Sequence, residues 1–122
     1  MEKMPEFTLH RPQTAAEAVA LKAADETSRY LSGGTDMIVN VRRGIEAPET
    51  MIDLTAIADI VSITKDGDGI RVGAGVKLAE LATDETIRRD YPAIAQAAAS
   101  VAGPTHRSYG TIGGNLCLDT RC

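Results

Sequence analysis

The sequence is poor in aromatic side chains and has no excess of positive charge. Aromatic residues make up 3% of the 122 residues and tryptophan is absent, so we expect a core of alanine, valine, isoleucine and leucine. Lysine and arginine number 13 against 17 acidic residues, and the net charge of -4 argues against a nucleic-acid-binding surface. The apolar fraction of 43% is sufficient for one ordinary domain or two small ones.

Long apolar runs and cysteine frameworks are also missing. No stretch approaches the ~20 apolar residues that a membrane helix needs, and the first residues lack the apolar segment of a signal peptide, which predicts a cytoplasmic protein. The two cysteines, Cys117 and Cys122, have the spacing of neither a disulfide framework nor a zinc motif. The last residues form no capped helix or finished strand, and we expect the natural chain to continue.

The first half of the sequence predicts alternating strands and helices. Apolar and polar residues alternate over 7–10, as in a strand, and Thr14 with Glu17 forms a capping box for an alanine-rich helix over 14–25. Gly44 is the expected left-handed C-cap of a second helix. The remaining elements of this half are a strand around 30–31, that second helix over 36–43, and a strand over 51–54.

The second half begins with an antiparallel hairpin. Strands over 60–64 and 69–73 flank an Asp-Gly turn. Helices follow, one beginning near Leu78, one capped by Asp84 and one starting at Pro92. We expect a loop from Thr105 to Gly110, and then a short strand at Thr111 and Ile112.

A glycine-rich loop, Leu31-Ser-Gly-Gly-Thr-Asp36, lies between a predicted strand and a predicted helix. Glycine lets the backbone approach a ligand, amides at a helix start attract anions, and Ser32 and Thr35 add hydroxyl donors. Thr35 or Asp36 is expected to cap the helix that follows the glycines. On this loop alone, a diphosphate site and a ligand-free turn are equally supported. The spacing fits neither a Rossmann fingerprint nor a Walker A loop.

A second glycine-rich loop follows Tyr109, with the sequence Gly110-Thr-Ile-Gly-Gly-Asn115. Both loops contain adjacent glycines and hydroxyl residues, and both are expected to leave apolar strands. Two such loops favour one extended anion, such as the diphosphate of a nucleotide, held by backbone amides from two sides.

These segments resemble the FAD-binding subunits and domains of the molybdenum hydroxylase family, which includes xanthine dehydrogenase and aerobic carbon monoxide dehydrogenase. The resemblance implies an α+β fold with two subdomains. Residues 1–55 would hold a small, mostly parallel sheet with helices, and residues 56–122 would begin a larger antiparallel subdomain, with FAD in the crevice between them. The segments that carry the resemblance are His10-Arg-Pro, Leu31 to Asp36, Ile52-Asp-Leu, Ile70-Arg-Val-Gly-Ala-Gly75 and Gly110 to Asn115.

The same resemblance assigns the binding residues. The first loop would hold the FAD diphosphate, and the second would line the flavin and the diphosphate from the other subdomain. The implied cofactor-binding residues are Leu31, Ser32, Gly33, Gly34, Thr35 and Asp36, followed by Thr111, Gly113, Gly114 and Asn115.

Two further segments, Ser100 to Arg107 and Asn115 to Cys122, resemble the beta subunits of 4-hydroxybenzoyl-CoA reductases. This implies an inserted loop with a [4Fe-4S] cluster, of which Cys122 would be the first thiolate ligand. The molybdenum cofactor and two [2Fe-2S] clusters would lie on a large and a small partner subunit, with an outside electron carrier such as ferredoxin. Cys117, between two leucines, is expected to be a buried structural thiol.

Other possibilities remain open. The chain could belong to the flavin subunit of a carbon monoxide, xanthine or aromatic-heterocycle dehydrogenase, or to a non-catalytic interaction module with structural Gly-Gly turns. For His106 and Arg107, a cofactor or partner contact and a surface pairing of the arginine with a nearby carboxylate are equally supported. No nucleophile arrangement or metal-binding helix pair is present in the sequence.

Overall fold

A computed structural model describes residues 3–118, which form two compact units with the boundary between Asp59 and Ile60. Within this range no helix combines the length and the apolar character that crossing a membrane requires. The predicted cluster ligand Cys122 lies outside the described residues.

The first unit is a three-stranded parallel sheet with two crossover helices. The elements are β1 (Thr8–His10), α1 (Ala15–Ala24), β2 (Arg29–Leu31), α2 (Met37–Arg42) and β3 (Thr50–Asp53). The sheet order is β1-β3-β2. The central strand, β3, carries Met51 and Ile52, both 0% exposed. Because successive strand residues point to opposite faces, both faces of this strand are covered, as expected for a parallel sheet.

Local capping signals place both helices of this unit where the sequence predicts them. The Thr14 hydroxyl accepts a hydrogen bond from the backbone N–H of Glu17 at 3.1 Å, and the Glu17 carboxylate accepts one from the N–H of Gln13 at 2.9 Å. After α2, Gly44 has φ +72°, the left-handed conformation predicted for a C-cap.

The turn after α1 is held by side chains. Asp25 accepts hydrogen bonds from the Thr27 hydroxyl at 2.6 Å and from the Thr27 N–H at 3.0 Å. The ammonium group of Lys22 donates to the carbonyl oxygens of Glu26 and Ser28. The Thr27 hydroxyl is the main cause of a pKa of Asp25 below its ordinary value of 3.8, because the bond favours the charged carboxylate.

We predict that Thr27→Val raises the pKa of Asp25 toward its ordinary value. Since the folded-state pKa lies below the unfolded one, the stabilisation is complete above pH 3.8 and is lost as the pH falls through the folded-state pKa. An NMR titration of Asp25 measures the shift. Thr83→Val is the control, since the Thr83 hydroxyl donates to the Ala79 carbonyl at 2.9 Å and not to Asp25. An unchanged Asp25 pKa in Thr27→Val would contradict the assignment.

As far as Leu118, where the described residues end, the second unit combines a hairpin with five short helices. The predicted Asp-Gly turn is confirmed: Asp66 pairs with Gly69, and Gly67 has φ +61°. The first strand begins later than predicted, because Ile60 belongs to a 3₁₀ turn. The elements are β4 (Ile63–Asp66), β5 (Gly69–Val72), α3 (Leu78–Thr83), α4 (Glu85–Asp90), α5 (Pro92–Ser100), α6 (Pro104–Tyr109) and α7 (Ile112–Leu116).

The core of the second unit is aliphatic, as the composition predicts. Asp84 caps α4 by accepting from the backbone N–H of Ile87 at 2.9 Å, and the Ile87 side chain is 0% exposed. The cap therefore sets the start of the helix so that its apolar residue enters the core. The buried members of this core are Val76, Leu78, Leu81, Ile87, Ala95 and Ala98.

Two sequence predictions in this unit are wrong. The segment predicted as a loop over 105–110 is helical, because Pro104 occupies the first turn of α6, where its missing N–H is not needed. The strand predicted at Thr111 and Ile112 is only a single bridge between Thr111 and Lys77. The second pair of glycines lies inside α7, which Thr111 caps.

Candidate functional site

The first glycine loop leaves the carboxyl end of the parallel sheet. Leu31 is the last residue of β2, and its carbonyl oxygen accepts from the N–H of Leu54 at 2.8 Å, just beyond β3. Residues 32–36 are all partly buried. Gly34 has φ +77°, a conformation in which a side chain is disfavoured. The residue from which the loop departs is therefore held by a backbone hydrogen bond to the chain just beyond the central strand.

Three consecutive amides of this loop are available to a ligand. The backbone N–H groups of Gly33, Gly34 and Thr35 have no acceptor anywhere in residues 3–118. Successive amides around a left-handed residue form a concave anion site, and ligands of open parallel sheets bind at the carboxyl ends of the strands. The loop therefore fits a diphosphate.

Asp36 is at the predicted cap position, but its side chain bonds elsewhere. It occupies the N-cap position of α2 without a side-chain capping bond, and its carboxylate accepts from the Asn40 side-chain amide at 2.9 Å. Asn40 is 6% exposed, and its carbonyl oxygen accepts from the N–H of Ile45 at 2.9 Å. The pair thus connects the start of α2 with the turn after it, and its four-residue spacing is visible in the sequence.

The second glycine loop differs from the first, because its amides are used within the chain. The N–H of Gly113 donates to the Ala74 carbonyl at 2.8 Å, and those of Gly114 and Asn115 donate to the hydroxyl and carbonyl oxygens of Thr111 at 3.2 and 3.0 Å. The prediction that both loops present free amides is therefore wrong for this one. Gly114 and Asn115 are exposed, so their surfaces and the Asn115 side chain remain available for contact.

Gly113 is a glycine because of packing. A Cβ atom at this position would lie 2.7 Å from both the Cβ and the carbonyl oxygen of Ala74, closer than real contacts allow. Thr111, which caps α7, is 6% exposed. The second Gly-Gly pair thus has a structural function that the sequence pattern does not reveal.

We predict that Gly113→Ala destabilises the protein by about 2 kcal/mol, because the added methyl group meets backbone atoms that cannot rotate away. Gly103→Ala is the matched control, since a Cβ there has no atom within 4 Å. Gly103→Ala should change the free energy of unfolding by less than about 1 kcal/mol. Denaturant unfolding of both variants measures the difference, and equal stabilities would show that Ala74 yields to the new methyl group.

One open alternative and one prediction near the second loop are decided by the structure. Arg107 donates from Nη1 to the carbonyl oxygens of Val101 and Ala102 at 3.0 and 2.8 Å, so it stabilises the turn before α6 and pairs with no carboxylate in residues 3–118. Cys117 is exposed, not buried. Its neighbours Leu116 and Leu118 are themselves 77% and 44% exposed, so apolar sequence neighbours did not indicate a core position here.

A shallow groove of about 490 Å³ lies between the end of β1 and α1. None of the predicted cofactor-binding residues lines it. It is lined by His10, Arg11, Pro12, Glu17, Ala20, Leu21 and Ala24.

Comparison with known proteins identifies the family. Residues 5–121 match the model of the FAD binding domain in molybdopterin dehydrogenase. The chain belongs to this family. The predicted family and the mixed helix and strand fold are therefore confirmed, and the FAD-binding domain is part of a class of oxidoreductase subunits.

Individual relatives agree with this family. The chain is 34% identical over 109 residues to the xanthine dehydrogenase FAD-binding subunit of Escherichia coli O157:H7, covering 88% of the chain and 37% of the relative. It is 34% identical to the carbon monoxide dehydrogenase medium chain of Afipia carboxidovorans, covering 89% and 38%. The chain thus spans less than two fifths of these relatives.

A solved structure shows the same fold. It is carbon monoxide dehydrogenase from Hydrogenophaga pseudoflava, in a form that lacks the Mo-pyranopterin moiety of the molybdenum cofactor. The TM-score is 0.91 at 30% identity, over 93% of this chain and 40% of that one. In this FAD-binding domain, the assignment of individual ligand contacts to the two glycine loops stays a prediction.

Proposed function

We propose that this FAD-binding domain holds the FAD diphosphate on the loop from Ser32 to Asp36, as part of the flavin subunit of a molybdenum-containing oxidoreductase. The observation that carries the proposal is the row of three amides, at Gly33, Gly34 and Thr35, with no acceptor in residues 3–118. A diphosphate supplies the missing acceptors. Bound FAD would supply the redox chemistry, and the residues of this chain would bind and orient it.

The exposed part of the second loop would contribute less to binding of the diphosphate than its sequence suggests. Its amides at Gly113, Gly114 and Asn115 already have acceptors. We therefore assign to Thr111 and the two glycines a mainly structural part in shaping the surface. Asn115, whose side chain is exposed, is the residue of this loop best suited to donate to the cofactor.

Within this function, we propose the electron-transfer flavin subunit of a 4-hydroxybenzoyl-CoA reductase. The support is the resemblance of Ser100 to Arg107 and of Asn115 to Cys122 to those beta subunits. In this proposal Cys122 is the first thiolate ligand of a [4Fe-4S] cluster, since thiolates are the usual ligands of such clusters. A large subunit would carry the molybdenum cofactor, a small subunit the [2Fe-2S] clusters, and a carrier such as ferredoxin would exchange electrons in the cytoplasm.

A second candidate is the flavin subunit of a dehydrogenase for carbon monoxide, xanthine or an aromatic heterocycle. It is favoured by the relatives named as xanthine dehydrogenase and carbon monoxide dehydrogenase subunits. Such a subunit would share the first glycine loop but would not need Cys122 as an iron ligand.

Flavin and iron counted per chain in the intact natural protein test these proposals. We expect one FAD per chain, with visible flavin absorption, in both cases. Iron equivalent to one [4Fe-4S] cluster per chain, lost in a Cys122→Ser variant, would support the reductase. Flavin without iron would support the second candidate. A protein that holds no flavin after purification, and none after incubation with FAD, would contradict the proposed function.

A further inference from the structure

We infer that Arg11, Asp53 and Thr55 form a positioning cluster that keeps the diphosphate loop in its binding conformation. This inference rests on the proposed function of the first glycine loop. It assigns a role to three side chains that lie outside both glycine loops.

The cluster lies at the carboxyl edge of the parallel sheet. Arg11 directly follows β1, and its Nε lies 3.0 Å from a carboxylate oxygen of Asp53, the last residue of β3. The other carboxylate oxygen accepts from the N–H and the hydroxyl of Thr55, at 2.8 and 2.7 Å. Arg11 also donates from Nη2 to the Thr55 hydroxyl at 3.4 Å. Three of the four contacts of the cluster therefore go to the Asp53 carboxylate, and the fourth joins Arg11 to Thr55.

This carboxylate is well placed to affect the loop. Asp53 pairs with Leu31 in the register of β3 and β2, and the next N–H along the chain, that of Leu54, donates to the Leu31 carbonyl at 2.8 Å. Leu31 immediately precedes Ser32 and the three available amides. The bonds that Asp53 accepts fix the path of the chain over 53–55, and this segment in turn fixes the residue from which the loop departs.

The energetics also point to Asp53. Its side chain is 14% exposed, whereas that of Arg11 is 60% exposed. Without Arg11 this mostly buried carboxylate keeps the two bonds from Thr55 but loses the cation that compensates its charge in a medium of lower polarity, and the structure around it adjusts. Removing Arg11 should therefore disturb the turn at 53–55 more than the exposed position of the arginine suggests.

The same unit contains a matched control pair at the opposite end of the sheet. Arg29 is the first residue of β2, and its Nη2 lies 3.1 Å from a carboxylate oxygen of Glu46. The side-chain exposures are 47% and 30%. This pair has the same chemistry and a similar separation, but it lies at the amino end of the strands. If the role of either pair were confined to stability, any loss of FAD affinity on breaking it would follow the loss of stability.

The experiment compares Arg11→Gln, Thr55→Val, Thr55→Ser and Arg29→Gln in the intact natural protein. For each variant, the dissociation constant of FAD and the unfolding midpoint of the apoprotein are measured separately. Arg11→Gln and Thr55→Val should weaken FAD binding roughly tenfold, the size of effect typical of groups that orient a ligand-contacting group. Thr55→Ser keeps the hydroxyl and should bind FAD like the wild type. Arg29→Gln should also bind FAD like the wild type.

The outcomes separate this inference from the proposed function. If the wild-type protein binds no FAD, the proposed function fails and the inference fails with it. If the wild type binds FAD but Arg11→Gln binds it equally well, only the positioning role is overturned. Equal weakening by Arg11→Gln and Arg29→Gln, in step with their unfolding midpoints, would also overturn it, because general destabilisation would then explain the loss.

Discussion

Gly34→Ala should release most of the FAD from the intact protein, whereas Gly44→Ala should leave it bound. Gly34 has φ +77°, which costs a residue with a Cβ about 1–2 kcal/mol. The new Cβ would also lie 3.0 Å from Cγ1 of Ile38. The loop can relieve the backbone strain and the close contact only by moving, and movement would take the amides of residues 33–35 out of line with the diphosphate that we propose they bind. We expect the dissociation constant to rise about tenfold or more.

Gly44 is the control for this prediction. It lies just after α2, whereas Gly34 lies just before that helix. The φ of Gly44 is +72°, and a Cβ there would meet no atom within 4 Å. Gly44→Ala should therefore lower stability by about 1 kcal/mol through the backbone alone, with FAD affinity unchanged. FAD titration and denaturant unfolding of both variants measure the two effects. Wild-type affinity in Gly34→Ala would show that this loop does not hold the diphosphate.

The largest loss of stability is expected from Gly73→Ala. A Cβ at this position would lie 2.2 Å from the carbonyl oxygen of Ile60 and 2.4 Å from its carbonyl carbon. The close approach is maintained by backbone bonds on both sides, from the N–H of Gly73 to Ser62 at 2.9 Å and from that of Gly75 to Ile60 at 2.7 Å. Because backbone meets backbone, no rotamer change relieves the contact. We expect destabilisation of about 3 kcal/mol or more.

Gly69→Ala, at the start of β5, which ends one residue before Gly73, is the control for this prediction. Its Cβ would have an ordinary contact, 3.5 Å from the Asp66 carbonyl oxygen. The change should alter the free energy of unfolding by less than about 1 kcal/mol. Denaturant unfolding followed by circular dichroism measures both variants. Similar midpoints for the two would mean that the segment at Ile60 moves aside at little cost.

Predictions that depend on a few neighbouring residues were confirmed. The capping box of Thr14 and Glu17, the C-cap at Gly44 and the Asp84 cap each involve groups within one helical turn. The error at Pro104 was also local, since glycine followed by proline can end one helix and begin the next within the same few residues. Helix caps of this kind can be predicted without the tertiary structure, because all the groups involved are close together in the sequence.

Predictions about what the glycines do were less complete. The two Gly-Gly pairs look alike in the sequence, but only tertiary contacts distinguish them. Gly113 packs against Ala74 and donates to its carbonyl, whereas the amides of Gly33 and Gly34 have no acceptor in residues 3–118. The pattern thus identified two special backbone segments without showing which one has amides to offer a ligand.

The sequence by itself determined the order of strands and helices as far as α5, most of their ends and the resemblance to a family, because these depend on local conformational preferences and on motifs of adjacent residues. Only the tertiary structure decided which of these strands, helices and loops contact one another. Arg11 and Asp53 meet because parallel pairing brings the ends of β1 and β3 to one edge. Contacts between distant segments depend on sheet order and register, which short-range preferences do not encode.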